Sequence, residues 1–153
     1  MNHAVLLDTG VLSLVTNPKH SSEPMDCSQW LVSLLMVDCS VYIPEICDYE
    51  LRRELIRANR REGLQRLDGL KNTLEYLPIT TSVMNMAAEF WATARNMQRQ
   101  AADDKALDAD MILVAQATES SLGSAIIATT NVKHLSLFAT ARLWRDIATE
   151  DNI

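Results

Sequence analysis

Four positions place a carboxylate or amide where it could do chemistry. Asp8 directly follows the apolar run Ala4–Leu7, and Glu50 lies early in a helical stretch after Val41-Tyr42-Ile43. Asp110 stands at the entrance of Met111–Ala117, and Asn131 closes Ala128-Thr129-Thr130-Asn131. Hard oxygen donors of this kind suit Mg²⁺ or Mn²⁺. The need for a cation is electrostatic. Met111–Ala117 is apolar on most faces and therefore reads as a buried helix, which draws Asp110 inward. A helix N-terminus favours such an acid by only ~0.3–1 kcal/mol when exposed. Burying an unpaired charge costs several kcal/mol. Acids converging on one point repel one another unless a cation neutralises them. Each residue alone has a plainer reading: Asp8 a turn or cap, Glu50 a partner for Arg53, Asp110 a first-turn acid, Asn131 a turn former. Their joint placement at strand and helix ends favours the shared reading.

The elements that must position them follow from the hydrophobic pattern. The chain has 153 residues, which fits a single domain over 1–153. Its 48% apolar and 22% charged residues exclude a disordered or fibrous chain. No apolar run approaches the ~18–20 residues of a membrane span. The first residues lack a basic region and meet a carboxylate at Asp8, which predicts no signal peptide and a cytoplasmic protein. Three cysteines, with no C-x-x-C pair, argue against disulfides and structural zinc. Three scattered histidines leave the chemistry to carboxylates.

Short apolar runs predict strands at Ala4–Leu7, Val41–Ile43, Leu74–Ile79 and Ala125–Ala128, with a short last one within Arg142–Ile147. Between them, helices are expected over Gly10–Val15 with Thr9 as N-cap, and over Ser28–Val37 after a loop at Asn17–Asp26. A third helix should start with Pro44 at its first position and run to about Arg61, ended by Gly63. Leu64–Thr73 is next, followed by a long helix capped by Thr80, Thr81 or Ser82. A polar loop at Ala101–Lys105 then precedes a helix opened by Asp108 or Ala109 and ending near Ser121. Alternating apolar strands and helices imply the α/β class: an α/β/α sandwich with a central, mostly parallel β-sheet. Ligands in such sheets bind beyond the carboxyl ends of the strands.

Leu6-Leu7-Asp8-Thr9, Tyr42-Ile43-Pro44 with Tyr49-Glu50-Leu51-Arg52-Arg53, Asp110–Ala117 and Ala128-Thr129-Thr130-Asn131-Val132-Lys133-His134 resemble the motifs of PIN domains, closest to VapC-type toxins. The resemblance covers nearly the whole chain in order and spacing. It implies a Mg²⁺- or Mn²⁺-dependent endoribonuclease, the toxin of a type II toxin–antitoxin pair. Carried over by motif, Asp8, Glu50 and Asp110 hold the metal and Asn131 fills the fourth, variable position. Thr129 orders the loop beneath it, and Thr9 is a further supporting residue. Two departures stand out. Gly10 replaces a common Asn or Ser, and Asn131 lacks the charge of an Asp, for which Asp108, as an N-cap, is a substitute ligand. The family also implies a homodimer and a cognate antitoxin that inserts into the acidic groove. The alternative is a catalytically inactive PIN-like module that binds RNA or protein. An aspartyl-phosphate phosphatase is disfavoured, because Asp8-Thr9-Gly10 lacks its Asp-x-Asp pair.

The net charge of −6 speaks against nucleic acid only on average. Between Arg52 and Lys71 lie seven basic residues and three acids, a local +4 that leaves −10 elsewhere. Arg52, Arg53 and Arg57, beside Glu50, are the expected phosphate-contacting rim. Asp103 and Asp104 read as solvated or capping residues outside the site.

Overall fold

Ala4–Leu7 is too short for a helix and has no polar side, so it can only be buried on both faces; it forms β1, the centre of a five-stranded sheet. A computed structural model of the chain describes residues 3–97 and 104–148, with all their side chains except those of 104–106, 120, 133 and 134. β1 pairs with β2 (Ser40–Pro44) on one side and β4 (Ala125–Thr129) on the other. β3 (Glu75–Leu77) extends the sheet beyond β2, and β5 (Ala141–Leu143) extends it beyond β4. Every pairing is parallel, in the order β3-β2-β1-β4-β5. The chain thus builds outward from β1 in one direction, then returns to build in the other. Strand order reverses between β1 and β4, and such a switch point opens a crevice beyond the strand ends.

Six α-helices cover the sheet: α1 (Thr9–Thr16), α2 (Ser22–Met36), α3 (Glu45–Arg57), α4 (Arg61–Thr73), α5 (Thr81–Met97) and α6 (Asp104–Ala117). This is the expected α/β/α sandwich, with a fully parallel sheet. α5 packs along α6, and α1 touches α2, α3 and α4. The three cysteines are buried and free, as their spacing implied.

Helix boundaries differ from expectation for identifiable reasons. Asp8, not Thr9, caps α1. α2 begins at Ser22 inside the expected loop, because Pro24 falls in its first turn, where backbone N–H groups need no helical partner. Pro44 is the N-cap of α3 rather than its first residue. Gly63 does not end α3 but lies in the first turn of α4. The stop is Asn59, in the left-handed region at φ 54°. The Asn59 N–H donates to Ile56 O (3.1 Å) and the Arg60 N–H to Leu55 O (2.8 Å), a Schellman ending. Asp38 (φ 57°) ends α2 in the same manner, with Cys39 N–H donating to Leu34 O (3.1 Å). The last strand is only Ala141–Leu143. α6 starts at Asp104, four residues before Asp108, so Asp104 and Lys105 are helical; the rest of the expected loop, with Asp103, lies outside the described residues.

One buried amide fixes α3 to the sheet. Gln116 of α6 is fully buried; its Nε2 donates to Leu77 O (2.8 Å) and its Oε1 accepts from Ile46 N–H (3.4 Å). Gln116→Leu would strand both backbone groups without water, so a destabilisation of about 1–3 kcal/mol is expected. A urea denaturation midpoint measures it.

Candidate active site

Asp8 sits at the switch point. Its N–H continues the β1–β4 ladder to Ala128 O (3.0 Å), which sets its carboxylate level with Thr129. Asp8 Oδ1 accepts the Val11 N–H (3.0 Å) as N-cap of α1. Asp8 Oδ2 accepts the Thr129 hydroxyl, which in turn accepts the Asn131 N–H (3.0 Å). One hydroxyl therefore aims the acid and holds the loop after β4. Asn131 takes part through its backbone, while its side chain is exposed.

Glu50 stands in the second turn of α3, and its Oε1 accepts the Thr9 hydroxyl (2.8 Å). Thr9 thus supports Glu50 directly, at the first position of the helix that Asp8 caps. Asp110 lies in the second turn of α6, half-buried. What gathers the three acids is a residue that sequence patterns did not single out. The Cys47 thiol is fully buried and pushed well up, first by burial; the Thr9 hydroxyl opposes this, and the charges of Asp8, Glu50 and Asp110 add to it. The charges of all three carboxylates reach this one thiol, so Asp8, Glu50 and Asp110 belong to the same region of the fold. No spacing rule could have found it, because the acids come from segments about 40 and 60 residues apart.

The Asp8 carboxyl is raised from its ordinary value, chiefly by burial, and Glu50's charge adds to that. The hydrogen bonds from Thr129, Val11 and Gly10 oppose the rise without cancelling it. Among the described residues, no group of three or more His, Cys, Asp or Glu side chains stands close enough together to hold a metal ion as the side chains lie. The donors nonetheless fit a hard divalent cation. They are carboxylate oxygens on partly buried side chains, the hard donors that such a cation takes.

The Gly10 departure has a steric reason. A Cβ at Gly10 would stand 2.5 Å from Thr130 Oγ1 and 3.1 Å from its Cγ2, so this glycine lets the loop after β4 close on α1. Asp108 is corrected as a substitute ligand. It is not an N-cap outside α6 but an exposed residue within it, beside Met84 and Trp91 of α5. Two residues apart on a helix, Asp108 and Asp110 do not share a face.

The expected basic rim is also redrawn. Arg52 donates from Nε to the buried Asp48 (3.1 Å) and from Nη2 to Asp68 (2.8 Å). Asp48 further accepts the Tyr76 hydroxyl (2.8 Å) and pairs with Lys71 Nζ (3.3 Å). This network ties α3 to α4 and β3, and it engages the Arg52 guanidinium with two acids. Arg57 pairs with Glu54 (2.7 Å). Arg53 alone of the three lies at the site, 3.9 Å from Glu50 Oε2 and over the Tyr49 ring.

Solved structures share this arrangement of strands and helices. VapBC2 from Rickettsia felis, bound to a DNA fragment from its promoter, superposes at a TM-score of 0.69 with 16% identity, covering 92% of this chain and 98% of that one. FitAcB from Neisseria gonorrhoeae gives 0.66 with 21% identity, over 94% and 99%. This is the PIN-like fold of VapC-type toxins. Mycobacterium tuberculosis VapC20, a sarcin-ricin loop cleaving toxin, shares the PIN-like fold at 0.61 with 12% identity, over 87% and 93%. No family model and no curated protein sequence matches the chain. Among the described residues no helix is long and apolar enough to cross a membrane.

Within the PIN-like frame, Thr129 can be tested by itself. Thr129→Val should lower RNA cleavage ~10–100-fold, the usual loss for a group that orients a metal-binding residue. Thr129→Ser should restore most of it. Initial rates against metal concentration measure both.

Proposed function

We propose that the chain is a Mg²⁺- or Mn²⁺-dependent endoribonuclease that hydrolyses RNA phosphodiester bonds, acting as the toxin of a type II toxin–antitoxin pair. The observation that carries this is the pair of acids at the sheet's switch point, Asp8 held by Thr129 and Glu50 held by Thr9, with the charge of Asp110 reaching the same region. Asp8, Glu50 and Asp110 would hold the cation, with Asn131 at the rim. When bound, it would lower the pKa of a water and offset charge developing on the phosphate. Thr129 keeps Asp8 Oδ2 aimed and Val11 keeps Oδ1 aimed, so the first acid needs no reorganisation. Thr9 occupies Glu50 Oε1. Glu50 Oε2, 3.9 Å from Arg53, is the oxygen that would face the cation or the water it holds. Arg53, beside Glu50, is placed to meet a phosphate oxygen.

The VapC20 likeness supports cleavage of RNA, and the VapBC and FitAB likenesses support a cognate antitoxin. The same reading carries a homodimer and a cytoplasmic setting. Purified protein incubated with RNA and Mn²⁺ should yield fragments, and excess chelator should stop the reaction. RNA left intact under both conditions would point to an inactive PIN-like binding module instead.

A further inference from the structure

Of the seven cations between Arg52 and Lys71, five are paired with acids: Arg52, Arg53, Arg57, Arg66 and Lys71. Arg60 and Arg61 have no acidic partner among the described residues. They stand as N-cap and first residue of α4, the end of a helix where cations are disfavoured. Local rules are broken there without a compensating contact, which is a mark of function. Both side chains line a cleft of about 430 Å³ whose opposite wall is the end of α1 and the turn Asn17-Pro18-Lys19.

That turn is preset. Asn17 Oδ1 accepts the Lys19 N–H (3.0 Å), and Pro18 fixes its own φ, so Lys19 is presented to the cleft as a third exposed cation without an acid. A second hollow of about 250 Å³ shares Asn17, Pro18 and Lys19 and adds His20 and Arg66. Ser13 brings a hydroxyl from α1. The lining is mostly cationic and polar; its one acid, Glu62, pairs with Arg66 (3.5 Å), and Leu55 is its one large aliphatic side chain, so it lacks the apolar anchors by which protein partners are gripped.

We infer that this cleft is a phosphate-binding subsite for single-stranded RNA, with Lys19, Arg60 and Arg61 as its contacts. The inference rests on the RNA-cleaving reading above and gives it a register. α1 has eight residues and so is about 12 Å long, with Asp8 capping one end and the cleft at the other. The phosphate held here therefore lies roughly 12 Å from the carboxylate site, a few nucleotides along the strand.

The test is fluorescence anisotropy with a labelled single-stranded RNA 12-mer, in chelator so that cleavage plays no part. Arg60→Ala/Arg61→Ala should weaken binding at least tenfold. The slope of log affinity against log salt should shrink by about 1.4, the release expected for two single-strand phosphates at ~0.7 each. Arg57→Ala, whose side chain is already paired, should stay within twofold of wild type. Both variants alter exposed side chains, and circular dichroism melts should show no loss of stability. Undiminished binding by the double variant would overturn the subsite while leaving the carboxylate site untouched. A wild-type protein that does not bind the RNA at all would overturn both readings. Equal binding of an acidic peptide, lost in the same double variant, would reassign the cleft to a protein partner.

Discussion

Asp8→Asn is expected to abolish RNA cleavage while leaving the fold at least as stable as wild type. Asn is as good an N-cap as Asp, so the bond to Val11 survives. The amide nitrogen that replaces Oδ2 can donate to the Thr129 hydroxyl, whose own proton can turn to Asn131 O (3.0 Å). What is lost is one charged metal ligand, and the rate should fall beyond the ~10–100-fold typical of losing an orienting partner. The stability effect has a definite sign. Burial and Glu50 hold the Asp8 carboxyl above its ordinary 3.8 in the folded chain, so the folded state binds its proton more tightly than the unfolded state does. Stability from this group is therefore full below about 3.8 and is lost as pH rises through the folded value. Asp8→Asn removes that loss. Without metal it should melt above wild type at neutral pH, and the gap should close in acid. Saturating Mn²⁺ should reverse the order, since ligand at 100 times Kd stabilises wild type by ~2.7 kcal/mol. Scanning calorimetry at pH 7 and pH 3.5, with and without Mn²⁺, measures all of this. A wild type that outmelts Asp8→Asn without metal at pH 7 would contradict the electrostatics.

Asp110→Asn should likewise abolish cleavage, and Asp108→Asn should leave it within about twofold. The contrast is sharp because the two acids stand two residues apart on one helix. A helix turns about 100° per residue, so their side chains project some 200° apart. Asp110 acts on the Cys47 thiol beneath the other two acids. Asp108 is exposed beside Met84 and Trp91 of α5. Both changes keep side-chain size, so chemical denaturation should find each variant folded. Initial rates on RNA at fixed Mn²⁺ decide between them. Activity lost in Asp108→Asn and kept in Asp110→Asn would place the third ligand on the wrong face of α6.

Much of this was legible before any coordinates. β1 could be nothing but a buried strand, since four apolar residues are cut short by Asp8-Thr9-Gly10. That placed Asp8 at a strand end, and the order of elements placed Glu50, Asp110 and Asn131 at the same edge. The errors share physical causes. Asn59 and Asp38 end helices in the left-handed region, which Asn and Asp tolerate but which glycine advertises more loudly; Gly63, inside α4, drew the boundary instead. Asp104 and Lys105 look like loop by composition, yet α6 already includes them, and this shifted the expected cap to Asp108. The pairing within the basic stretch was not legible in full. Arg52 with Asp48 is an i,i+4 pair that spacing can suggest, but Tyr76 and Asp68 complete the network from other elements. Cys47 was invisible for the same reason: its meaning lies in three charges that only the tertiary fold brings to it.

The most direct test of the central claim is isothermal titration of Mn²⁺ into the metal-free protein and into its Asp8→Asn variant. Saturable binding by wild type, lost in the variant, is the predicted result. Binding that the variant retains in full, or no binding by either protein, would contradict a metal centre built on Asp8 at the switch point of the sheet.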